Sequence, residues 1–142
     1  MATFTRPDVF SKNLCDKLFD LDTDQVRWVF SNTAPVAGST NQLSNVTQIA
    51  TGGGFTQADG AGAGGILATF SALSQTGAST NVATTGNVFT ATGAVGTFQY
   101  IILFSDTSTN NLVIGWLNHG SAITMANTDT YTIPSGNILV VG

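Results

Sequence analysis

The chain has no Glu, two Lys, one His, one Cys and three Pro in 142 residues. Each shortage excludes something. Without Glu and with so little Lys, the side chains that normally cover exposed helix faces are missing, so a helical bundle is excluded. A formal net charge of −4 with four basic residues leaves no cluster of cations to neutralise phosphates, so nucleic acid is not an expected partner. A single Cys makes no intrachain disulfide. The strongest apolar run, Tyr100 to Phe104, is far short of a bilayer span, and the first residues lack the apolar core of a signal peptide. The expectation is a protein that folds in a cytoplasm, with no membrane contact.

What is present is polar and uncharged. Gly, Ser, Thr and Asn supply 60 residues, while 42% of the chain is hydrophobic. That hydrophobic share is too high for a disordered chain. The length suits one domain that buries about two thirds of its unfolded surface.

Charge divides the chain. All four basic residues (Arg6, Lys12, Lys17, Arg27) and five of the eight Asp lie within the first 27 positions. The 115 residues from Trp28 to Gly142 contain three Asp and no basic side chain. An uncharged Thr/Ser/Asn/Gly surface suits a protein whose exterior meets other protein, because a free monomer usually relies on mixed surface charge. The expectation is self-association through that surface.

The opening segment, residues 1–24, reads as an arm and a helix packed on the body formed by 25–142. Thr5 and Asp8 have capping-box spacing, and Pro7 suits a first helical turn. Phe10, Leu14, Leu18 and Leu21 recur at helical spacing, with Cys15 and Phe19 beside them. An amphipathic helix is predicted over 7–20, with Cys15 on its apolar side. Met1 to Thr5 precede it as an arm, in which Phe4 offers an apolar anchor and Arg6 a cation for a neighbouring subunit.

From Gln25 the period becomes two. Val26, Trp28 and Phe30 share one strand face. Further strands are expected at 46–50, 66–74, around Val82, and at 88–92, 98–105, 112–118 and 137–141. A hairpin is expected with 123–125 and 131–133 around Asn127-Thr128-Asp129. Phe98 to Ser105 is apolar on both faces, which indicates a central strand. The fold class is mainly β: an antiparallel β-sandwich, jelly-roll-like, with one N-terminal amphipathic α-helix. Trp28, Phe98, Tyr100 and Trp116 are its expected core anchors. An exposed tryptophan would instead suggest a sugar platform.

Chemical motifs are few. Residues 60–65, Gly-Ala-Gly-Ala-Gly-Gly, match G-x-G-x-x-G, but a strand pattern follows where a nucleotide site needs a helix, and no acid lies about 20 residues on. Asp20, Asp22 and Asp24 open like a calcium loop, yet Gln25 and Ser31 occupy the positions where Gly and Glu are required, so they form at most a weak metal candidate. One His and no Glu leave almost no inventory for acid–base catalysis, and no cofactor or catalytic residue is expected.

Two groups of residues carry a resemblance. The first is Ser31-Asn32-Thr33-Ala34-Pro35-Val36, with Val46-Thr47-Gln48-Ile49-Ala50 and Gly54-Phe55-Thr56. The second is Phe98-Gln99-Tyr100-Ile101-Ile102-Leu103-Phe104, Asp106-Thr107, Leu112-Val113-Ile114-Gly115-Trp116, Gly120-Ser121 and Thr130-Tyr131-Thr132. Together they resemble small virion structural proteins of tailed bacteriophages. Asn118-His119 departs from the Asp/Tyr-type pair expected at that corner. The resemblance implies a capsid decoration (cement) protein on the head exterior, made in the bacterial cytoplasm, with the major capsid protein as partner. A tail, head-spike base or fibre-adaptor module is the alternative, and a carbohydrate-binding sandwich for host attachment is a third.

Overall fold

The computed structural model describes residues 3–71, 73–85, 87–134 and the backbone of 136–141. The chain is mainly β, 44% strand against 7% helical, and every sheet is antiparallel. Elements run in the order β1 (Phe4–Thr5), α1 (Phe10–Cys15), β2 (Val26–Ser31), a 3-10 turn (Leu43–Asn45), β3 (Ile66–Ala68), β4 (Ser74–Thr76), β5 (Ser79–Thr84), β6 (Asn87–Thr90), β7 (Val95–Ser105), β8 (Val113–Met125), β9 (Thr130–Ile133) and β10 (Gly136–Val141).

The main sheet has the order β1-β8-β7-β2-β3. β7 is its middle strand, and Ile101, Ile102, Leu103 and Phe104 are all fully buried. Opposed residues share a face. Trp28 therefore lies level with Leu103 and Gly115, while Val29 lies level with Ile102 and Trp116. Both faces are apolar because both are covered, so β2 is buried almost throughout rather than half-exposed as simple alternation suggests.

Beside the main sheet lie the three-stranded sheet β10-β5-β4 and the two-stranded sheet β6-β9. Between Phe98 and Tyr100, β7 advances two residues while β8 advances five, from Ile123 back to Asn118. This bulge lets Phe98 join the face of Phe30, although its three-residue spacing from Ile101 would place it opposite in a regular strand. The Phe30 and Phe98 rings stack at 4.1 Å. Tyr131 on β9 meets both rings edge-on, Phe89 on β6 meets Phe30 edge-on, and Phe55 stacks on Phe30 at 5.2 Å. The aromatic cluster thus joins the main sheet to the β6-β9 pair.

Residues 32–65 connect β2 to β3 with one 3-10 turn and no strand. The strand expected at 46–50 does not form. Ser31 Oγ donates to the Thr47 carbonyl at 2.6 Å, and Ile49 N–H donates to the Phe30 carbonyl at 3.0 Å. The segment is therefore pinned at the end of β2 instead of running beside it. Gln48 and Gln57 satisfy further backbone groups of this loop, which lets so long a connection pack without a ladder. The expected 123–133 hairpin is also corrected. The turn exists, with Asp129 Oδ2 accepting from Ala126 N–H and Thr128 in the left-handed region. It hands the chain from one sheet to another, since β8 pairs with β7 and β9 pairs with β6.

The predicted helix over 7–20 is a single helix of six residues. Its N-cap is Val9, without a side-chain cap bond, so the Thr5–Asp8 box does not operate. At the other end Lys17 takes a left-handed φ of 56°. Leu18 N–H then reaches the Asn13 carbonyl, and Lys17 N–H reaches that of Leu14. This is a Schellman stop, built on Lys where Gly is usual. It breaks the apolar stripe: Phe10, Phe19 and Leu21 are buried, but Leu18 is left exposed. Cys15, expected on the apolar side, is exposed, and Asn13 is buried instead.

Of the expected arm, Met1 and Ala2 lie outside the described residues, and Phe4–Thr5 form β1 on the chain's own sheet, opposite Leu117 and Trp116. β1 fits because residue 115 is Gly. A Cβ there would run into the Phe4 ring and lie 2.5 Å from the Thr5 carbonyl oxygen. Gly115→Val is therefore expected to release β1, speeding amide exchange across Phe4–Thr5 and Trp116–Leu117 at least about tenfold. Unchanged exchange would refute this account of Gly115.

Candidate functional site

Arg27 is the last Lys or Arg in the sequence, and it is enclosed. It leaves β2 with its side chain 12% exposed and meets Asp106, whose side chain is 1% exposed, at the end of β7. Nε donates to Asp106 Oδ2 at 2.7 Å, Nη1 to the Gly64 carbonyl at 2.8 Å and Nη2 to the Gly62 carbonyl at 2.5 Å. The planar fork of a guanidinium can serve three acceptors at once, which an ammonium cannot do in this geometry. The clamp ties β2 both to the glycine loop 59–65 and to the β7–β8 connection.

The glycine loop is fixed from its other side by Asp59. Its Oδ1 accepts from the N–H groups of Ala61 at 2.7 Å and Ala63 at 3.1 Å. Those two bonds, with the nearby Arg27, hold the Asp59 carboxyl below its ordinary range. Gly64 and Gly65 have left-handed φ, and a Cβ on Gly64 would collide with the Gln57 backbone. Close backbone approach thus explains these glycines. The match to a phosphate-binding motif is formal only: Asp59 takes the N–H groups of 61 and 63, and a strand follows at Ile66–Ala68.

Asp20, Asp22 and Asp24 build a turn. Asp20 Oδ1 accepts from Asp22 N–H at 2.8 Å and Thr23 N–H at 3.3 Å, and the Asp22 N–H is the main cause that lowers the Asp20 pKa. Asp24 Oδ2 accepts from Asp20 N–H and, at 2.6 Å, from the Ser105 hydroxyl. Among the described residues no three of the side chains suited to metal ligation converge.

An open cleft of about 710 Å³ lies between the α1 segment, β5 and the turn at Thr107–Thr109. Leu14, Leu18, Phe19, Leu21, Leu73 and Val82 give it apolar walls. Leu18 and Leu73, at 47% and 40% exposure, reach it from distant parts of the chain. The three Asp of the 20–24 turn and Lys17 also line it.

The other residues singled out from the sequence are placed as follows. Trp28, Phe98 and Trp116 are buried in the core and Tyr100 is half-buried against it. Phe4 packs on the same core, and the Arg6 guanidinium lies 5.1 Å from the Phe10 ring centroid, over its face. His119 is exposed on the β8 bulge beside Tyr131, whose pKa burial raises. The sequence marks Arg27 as one of four cations and Asp106 within the Asp106-Thr107 motif but does not pair them, and nothing in it marks Ser105 or Leu73. Arg27 had a signal, being the one cation inside an apolar strand pattern. Its pairing had none, because the partners lie 37 and 79 positions away.

Comparison with known protein families, with curated proteins and with solved structures finds no match.

Proposed function

We propose that this chain is a structural protein of a tailed-phage virion, a decoration protein that binds the assembled capsid exterior and stabilises it. The observation that carries this is the surface of the β body. β4 and the Asn118–Ala122 stretch of β8 are exposed, and none of these residues is Asp, Lys or Arg. Such a surface packs against other protein without desolvating charge. The quoted family resemblance supplies the phage context. The rings that face one another from β2, β7, β6 and β9 support the finer architecture, a β-sandwich of jelly-roll type.

Decoration works by linkage. A ligand that binds only the assembled shell raises the cost of opening it. A homotrimer set where major capsid subunits meet would multiply weak contacts through multivalency. The role is structural rather than catalytic. It calls for no cofactor, nucleic acid or membrane, and places the protein on the virion surface after synthesis in the host cytoplasm. Quantitative mass spectrometry of purified particles should return hundreds of copies, and light scattering a trimer. A count of about a dozen or fewer would move the protein to a vertex or tail, where few symmetry-related positions exist.

A further inference from the structure

The cleft between the α1 segment and β5 is open to solvent. Its walls combine six apolar side chains with polar and charged ones, and Leu18 and Leu73 leave much of their surface in water there. Burying them would be favourable in proportion to the apolar area covered. Charge at the cleft is one-sided, with three carboxylates against Lys17. Asp20 and Asp24 are engaged in the turn, whereas the Asp22 carboxylate is exposed and makes no hydrogen bond among the described residues. Leu73 immediately precedes β4, which among the described residues pairs with β5 alone. Leu73 and the β5 residues Thr80 and Val82 place the cleft over one face of the β4–β5 pair, so a partner segment would be held by its side chains in the cleft.

We propose that this cleft receives an apolar segment bearing Lys or Arg from a different protein of the particle. The identity of that partner rests on the virion reading; the chemistry of the cleft does not. A second copy of this chain is a poor occupant. Lys17 already lines the cleft, Lys12 is paired with Asp16, Arg6 lies over Phe10 and Arg27 is enclosed. The complementary charge must come from elsewhere.

The test uses the full chain and a random peptide library displayed on beads. Wild-type protein should enrich peptides that combine apolar residues with Lys or Arg. A synthetic copy of the best one should bind at least about tenfold more weakly to Leu18→Ser/Leu73→Ser and to Asp22→Lys, and more weakly in high salt. The three side chains are exposed, so unchanged thermal unfolding of the variants is expected and is measured alongside. No enrichment, enrichment of neutral or acidic peptides, or equal binding by the variants would each overturn the proposal. The virion copy number fails or holds independently of these readouts.

Discussion

Replacing Arg27 by Met is expected to destabilise the protein by about 3–5 kcal/mol, because it strands a buried carboxylate. Asp106 would lose the guanidinium at 2.7 Å while its side chain stays 1% exposed, and its second oxygen already has no partner among the described residues. The Gly62 and Gly64 carbonyls would lose their donors in the same step. For a chain of this size the melting temperature should fall by roughly 10–15 °C. Arg27→Lys should recover only part of the loss, since one ammonium cannot reach all three acceptors with the fork's geometry. The double variant Arg27→Met/Asp106→Leu should be less damaged than Arg27→Met alone, since an apolar pair leaves no buried charge behind. Urea unfolding of the four proteins decides the matter. If Arg27→Met lost under about 1 kcal/mol, the clamp would be an ordinary surface ion pair.

Phe30→Ala should cost about as much, by a different mechanism. Phe30 is fully buried and contacts the rings of Phe55, Phe89, Phe98 and Tyr131. Truncation removes the transfer free energy of the ring and leaves a cavity, together about 3–5 kcal/mol. That total already includes the lost ring contacts, of which a pair in favourable geometry accounts for about 0.5–1.5 kcal/mol. Phe30→Leu should cost far less, because it keeps most of the volume. A double-mutant cycle with Phe98→Leu isolates the stacked pair. A coupling free energy near zero would mean that the 4.1 Å stack contributes area and nothing specific.

Two features were legible at the level of residues, and two were not. The two-sided apolarity of Phe98 to Ser105 identified the middle strand, because a strand covered on both faces must be apolar at every position. The alternation of Val26, Trp28 and Phe30 identified β2. The helix failed at Lys17. Nothing in the apolar stripe warns that this residue adopts a left-handed φ, and only the burial of Phe19 against Phe10 explains why the chain turns there. The 123–133 hairpin failed for a related reason. A turn motif shows that the chain reverses but not which strand it meets next, and β9 goes to β6.

The sequence by itself determined the class of the protein: mainly β, poor in charge, with its cations confined to the first 27 residues. Composition and period are sums over local positions, and such sums survive any arrangement of the strands. The tertiary structure alone decided that Arg27 closes on Asp106 and the glycine loop, that Gly115 makes room for Phe4, and that Leu18 and Leu73 face one cleft. Each of those depends on residues tens of positions apart being brought within contact distance. No local pattern encodes that distance, because it is set by the packing of the whole chain.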